Sequence, residues 1–195
     1  MYWFSAVTLF ILFTYAAGTQ ALVVVPVDLG QLAQMSPVIV HGTVGDVRPQ
    51  LALDRRRVDT FVSLDVSAYV KGNLGAELVF RVPGGQFGRY RTIVPGAPSF
   101  EPGDEVVLFL GTDGPSVPHI VGLSQGVFRV AADAQTGEKR VLTPPMETAP
   151  SANERPQPVV RGDLNRRPMA VAQFLSAVRA LTGRGAARGI GGDMP

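Results

Sequence analysis

The sequence predicts a mainly β domain carrying a short helix at its start and an amphipathic helix at its end. Three observations lead there. Val58–Val70 alternates in period two over thirteen residues, with Val58, Thr60, Val62, Leu64, Val66, Ala68 and Val70 on one side. Short apolar runs separated by Gly and Pro turns follow it. Near the C-terminus, Val171, Phe174, Leu175, Val178 and Leu181 recur at helical spacing and draw one apolar stripe.

The elements follow in order. Tyr2–Ala17 is an uncharged apolar run, shorter than the roughly 20 residues a membrane span needs. Small residues follow it, so residues 1–21 read as a secretory signal peptide cleaved after Ala21, although no Lys or Arg precedes the run. Membrane attachment is expected only if that segment is retained. The expected location is therefore periplasmic or extracellular. Asp28 and Gln31 form the frame of a capping box, starting a helix that carries Leu29, Leu32, Ala33 and Met35 and stops at Pro37. Pro37–Val47 is the first strand, with Val38, Val40, Gly42 and Val44 on one side, and Val58–Val70 the second. Glu77–Val82, Glu105–Leu110, His119–Gly122, Gly126–Ala131 and Arg140–Leu142 are further strands, the last two joined by a tight turn in which Gly137 supplies the positive φ.

Residues 22–143 make the β domain. Residues 144–167 are rich in proline and polar residues and read as an extended linker. Residues 168–195 hold the amphipathic helix over Met169–Leu181 and a Gly-rich, frayed tail. The helix stripe calls for a docking surface, on the barrel or on a partner. The formal charge of +2 resides in the tail: residues 22–144 carry 11 basic against 12 acidic side chains, residues 145–195 carry 7 against 4.

Composition removes several chemistries. With no Cys, the chain has no disulfide framework, thiolate metal site, thiol nucleophile or lipidated cysteine. Two His cannot make a three-His zinc site, so no metal and no cofactor is expected. His41 and His119 read as half-buried strand residues; together they would hold a metal only weakly, with Asp46 or Asp104 as a third ligand. Gly122-Leu123-Ser124-Gln125-Gly126 matches the G-x-S-x-G string of serine hydrolases, but that string needs a following helix and an acid and a His downstream. A strand follows here, and the last His precedes Ser124, so a turn is expected and catalysis is not. Pro83-Gly84-Gly85 lacks the Lys-Ser/Thr and helix of a phosphate cradle and reads as a turn.

Two segments are candidate binding surfaces. Pro83–Gly103 is a long Gly/Pro-rich connection, a length that is often functional or mobile. Within it Phe87, Arg89, Tyr90 and Arg91 are of the types enriched at binding hot spots. The competing reading is a flap that closes one end of the β domain. Arg55-Arg56-Arg57, with Arg89 and Arg91, would make a basic patch for an acidic partner, polysaccharide or lipid headgroups, or else simply a solvated loop tip. Nucleic acid is disfavoured because the β domain is near neutral and the protein reads as exported.

Five segments carry a family resemblance: Val40–Val44 (V-x-G-x-V), Val70–Gly72 (V-x-K-G), Val82–Gly85 (V-P-G-G), Phe100–Leu110 and Gly122–Val130. They resemble a group of uncharacterised exported bacterial proteins and, more distantly, the barrels of tissue inhibitors of metalloproteinases and netrin-type modules. The resemblance covers residues 28–143. It implies a small OB-like Greek-key barrel. It does not lend the inhibitors' mechanism, in which an N-terminal Cys chelates the protease zinc, because no Cys exists here. The expected function is thus a non-catalytic binding module of the cell envelope that recognises a protein; the alternative is an inhibitor of a secreted metalloprotease acting without Cys.

Overall fold

A computed structural model describes residues 27–52, 56–113, 116–134, 136–142 and 168–188. The expected signal segment, the expected linker and Arg55 lie outside the described residues.

Helix α1 spans Leu29–Met35. The Asp28 carboxylate accepts the Gln31 N–H at 2.8 Å, and the Gln31 side chain accepts the Asp28 N–H at 3.3 Å, completing the capping box. At the other end Lys71 Nζ donates to Ala33 O at 3.0 Å, which places a cation on the helix C-terminus. Leu29, Leu32 and Ala33 are buried, whereas Met35, the fourth apolar residue of the helix, is 60% exposed.

The strands are β1 Val38–Leu51, β2 Val58–Lys71, β3 Glu77–Pro83, β4 Gly85–Phe87, β5 Tyr90–Thr92, β6 Glu105–Gly111, β7 His119–Ile120, β8 Val127–Ala132, β9 Lys139–Leu142 and β10 Met169–Ala170. Five of them close a barrel. β1 pairs antiparallel with β2 and β6, β2 with β3, and β6 with β7; a single parallel bridge, Arg81 to His119, joins β3 to β7. The order β1-β2-β3-β7-β6-β1 is that of an OB-like Greek-key barrel, as expected. β8 pairs with Glu105–Leu108 of β6, on the same edge whose far end, Leu110 and Gly111, pairs with β7, and β9 and β10 extend that sheet outward. The β8–β9 turn is held by Gly137 at φ +69°.

Strand β6 organises the two cores. Within its sequence, EVVLFLG, the run Val106–Leu110 is unbroken apolar because both faces are covered. Val106, Leu108 and Leu110 point into the barrel with Val40, Val62, Leu64 and Phe80. Val107 and Phe109 point outward, under α1 and the C-terminal helix α2, Val171–Arg188. There Phe109, Phe128 and Phe174 stack in sequence, with centroids 5.4 and 4.9 Å apart. Phe174, Leu175 and Val178 are buried, and Val171 and Leu181 are packed at the margin. The stripe therefore docks on the barrel's own outer face. At about 1.5–3 kcal/mol for each fully buried side chain, the three contribute several kcal/mol gross.

The structure departs from the sequence reading in several places. The alternation of β2 breaks after Val66. Register shifts opposite Ile39–Gly42 turn Tyr69 toward the barrel interior and Val70 toward the outer core. Gly42 lies at this irregularity, where a Cβ would fall 2.4 Å from Asp65 O; only glycine fits. Met169 and Ala170, expected in the helix, pair with β9 before α2 begins. Helix α2 continues to Arg188, beyond Gly183, where fraying was expected. Met169 lies opposite Val141, so the strands that flank the Pro-rich segment in the chain, β9 and β10, are neighbours in one sheet.

Candidate functional site

The long connection after β3 is both a plug and a projecting ribbon. Phe100 is buried in the barrel core, edge-on to Phe80 at 5.3 Å, and Ala97 packs beside it. That half closes the barrel, as the flap reading expected. Arg129 lies over the Phe100 ring at 5.7 Å, donates to Asp104 Oδ2 at 2.6 Å and also donates to Ser99 O. It ties the connection to β8.

The other half contains regular structure that the composition did not reveal. β4 and β5 form a hairpin with Gly85 opposite Thr92, Gln86 opposite Arg91 and Phe87 opposite Tyr90. Its tip is Gly88-Arg89, with Gly88 at φ +56°. Three hydrogen bonds pin its base to β2. Gly84 N–H donates to Val58 O (3.1 Å), Thr60 Oγ1 donates to Gly84 O (2.7 Å), and Val58 N–H donates to Thr92 Oγ1 (2.8 Å). Gly85, at φ +134°, sits so close to Thr60 that a Cβ would fall 2.5 Å from its hydroxyl.

The four candidate residues of this segment separate by strand alternation. Phe87 and Tyr90 share one face and remain 48% and 39% exposed. Arg89 stays with them: it donates to the Tyr90 hydroxyl at 3.1 Å, and its guanidinium carbon is 5.1 Å from the ring centroid. Arg91 points to the opposite face with Gln86. Ile93, 71% exposed, lies just beyond β5. The sequence reading missed it, although an isoleucine in a Gly/Pro-rich connection was the available signal.

Arg56 and Arg57 of the basic run lie at the same end of the barrel, since Arg57 precedes the Val58 that holds the hairpin base. Arg57 is not wholly free: its Nε lies 3.5 Å from the Asp59 carboxylate, which Arg81 also approaches at 3.7 Å. Arg56 is exposed. The two sequence candidates thus meet at one end, and the docking helix does not join them.

The remaining candidates resolve into local structure. Ser124 sits in a 3-10 turn, Leu123–Gly126, that leads straight into β8, and its N–H donates to Gly96 O at 3.1 Å. No helix follows, so the hydrolase arrangement is absent there. The same turn holds Leu123 at φ +55°, the one described residue other than glycine with positive φ. His41 and His119 are not brought together. They flank β6 on opposite edges, His41 opposite Val107 and His119 opposite Gly111. His41 Nε2 lies 2.9 Å from Glu105 Oε1, and Lys139 Nζ lies 2.6 Å from Glu105 Oε2. Burial acts to raise the Glu105 pKa, but the hydrogen bonds and charges of Lys139 and His41 outweigh it and leave the pKa below the ordinary value. His119 Nδ1 lies 3.6 Å from Asp113.

Among the described residues no helix is long and apolar enough to cross a membrane. No protein-family model matches the chain, and no curated protein matches it significantly.

Proposed function

We propose that the protein is an exported, non-catalytic binding module of the bacterial cell envelope that recognises a partner protein through the hairpin end of its barrel. One observation carries this reading: Phe87, Tyr90 and Arg89 stand exposed on a ribbon fixed to β2 by three hydrogen bonds. Exposed aromatics on a rigid support lose little conformational entropy on binding, and Tyr and Arg are enriched among the residues that dominate interfaces. The neighbouring Arg56 and Arg57 favour an acidic partner surface. The resemblance to exported bacterial proteins agrees with an envelope location.

The test is capture of partners from envelope extract by the purified protein and by a Phe87→Ala/Tyr90→Ala variant. The proposal expects one or more specific partners whose recovery falls at least tenfold in the variant. Equal recovery by both proteins rejects the hairpin as the contact. Inhibition of a secreted metalloprotease is the narrower alternative, motivated by the same protruding hairpin. Titration against such a protease, with loss of inhibition in the variant, would favour it.

A further inference from the structure

The face of the hairpin turned away from Phe87 and Tyr90 overhangs a cleft of about 440 Å³. This lies within the range of about 300–1,000 Å³ typical of small-molecule sites. The cleft's floor is apolar and continuous with the barrel core, formed by Val47, Val82, Ala97 and Phe100. Val94 adds to one wall, and the exposed Ile93 adds to the lip. Its polar content is concentrated at the hairpin, where Gln86 and Arg91 stand opposite one another.

Among the described residues Arg91 is the only ionisable side chain lining the cleft, and no described carboxylate lines it. Among the described residues Arg91 has no hydrogen-bond or ion-pair partner, whereas the Gln86 amide makes one long contact, 3.5 Å to Gly88 O. Nearby cations are otherwise engaged: Arg129 with Asp104, Arg57 and Arg81 with Asp59. An unpaired guanidinium beside an apolar trough has a clear chemical complement. It is a carboxylate joined to an aliphatic chain, the oxygens held by the planar donor fork and the chain covering the floor.

From this we infer that the cleft is a binding site for a small aliphatic carboxylate, anchored by Arg91. The inference does not depend on the proposed protein partner, which would contact the other face of the ribbon. A neutral chain of equal length would gain only the burial of the floor, and an aliphatic amine would be repelled by Arg91.

The experiment titrates octanoate, 1-octanol and octylamine into the isotopically labelled protein and follows amide chemical shifts. Octanoate is expected to saturate with shifts centred on residues 82–86 and 91–100, to bind more tightly than octanol, and to exceed octylamine most. Arg91→Gln, an exposed substitution that leaves the fold intact, should weaken octanoate by about tenfold or more and leave octanol unchanged. Ala97→Leu, which narrows the trough, should weaken both octanoate and octanol; the amide spectrum verifies that this variant is folded, and Arg91→Gln decides alone if it is not. Equal binding of octanoate and octylamine, shifts centred elsewhere, undiminished octanoate binding by Arg91→Gln, or no octanoate binding at millimolar concentration would each overturn the inference.

Discussion

The helix-covered side of the barrel and its hairpin end use the same residue types for opposite purposes. On the covered side Phe109, Phe128 and Phe174 stack between β6, β8 and α2, and Phe174 is only 2% exposed. At the hairpin end Phe87 and Tyr90 lie opposite one another on a two-stranded ribbon and stay half exposed. The covered aromatics are held by neighbours on three elements, and their contribution is to stability. The exposed pair is positioned instead by hydrogen bonds at the base of the ribbon, two of them made by Thr60 and Thr92. An aromatic that folding does not need, on a support that folding fixes, is available for binding.

Substitutions should separate the two regions, and the largest effect is expected on the covered side. Phe174→Ala removes the outer member of the stack and should cost about 3–5 kcal/mol in urea unfolding. A cost under about 1 kcal/mol would mean that α2 is not docked as described. Gly42→Val should destabilise by a similar or larger amount, because its side chain would collide with the backbone of β2 at Asp65. The same unfolding measurement checks it.

Glu105 gives a smaller, pH-dependent effect. Its pKa is lowered in the folded protein, so the stability it contributes is present above the ordinary glutamate range and is lost as pH falls through the lowered value. Glu105→Gln should therefore cost about 1 kcal/mol at neutral pH. The difference from the parent protein should close in acid, as the parent's carboxyl protonates. A gap that persists unchanged in acid would contradict the role given to the charge. Thr92→Val removes the acceptor for the Val58 N–H and should cost about 1 kcal/mol while increasing amide exchange at the hairpin base. The smallest stability effect belongs to Phe87→Ala and Tyr90→Ala, each expected within about 0.5 kcal/mol of the parent.

The covered region was the more legible in the sequence. The stripe Val171, Phe174, Leu175, Val178, Leu181 is a local, periodic signal, and so is the unbroken apolar run of β6 that needs cover on both faces. The capping box of α1 could also be read from Asp28 and Gln31 alone. The breaks were not legible, because they arise between strands. The switch of faces after Val66 follows from the pairing of β2 with β1 across the turn. β4 and β5 are three residues each and lie in a Gly/Pro-rich context that reads as irregular. Their order comes from bonds to Val58 and Thr60, about 24 to 34 positions away in the chain. The two binding candidates can be read from composition and connection length, but their meeting at one end of the barrel depends on that same pairing. The separation of Arg91 from Phe87 and Tyr90 required the hairpin register, which no local pattern supplies.

The most direct test of the hairpin end as the recognition surface is site-specific photo-cross-linking in the native envelope. A photoreactive residue is placed at Tyr90, and in a control protein at Leu142, which is comparably exposed on β9 beside the docked helix. The account predicts a discrete protein adduct from position 90 and none from position 142. Absence of an adduct at 90, or the same adduct from both positions, would contradict it.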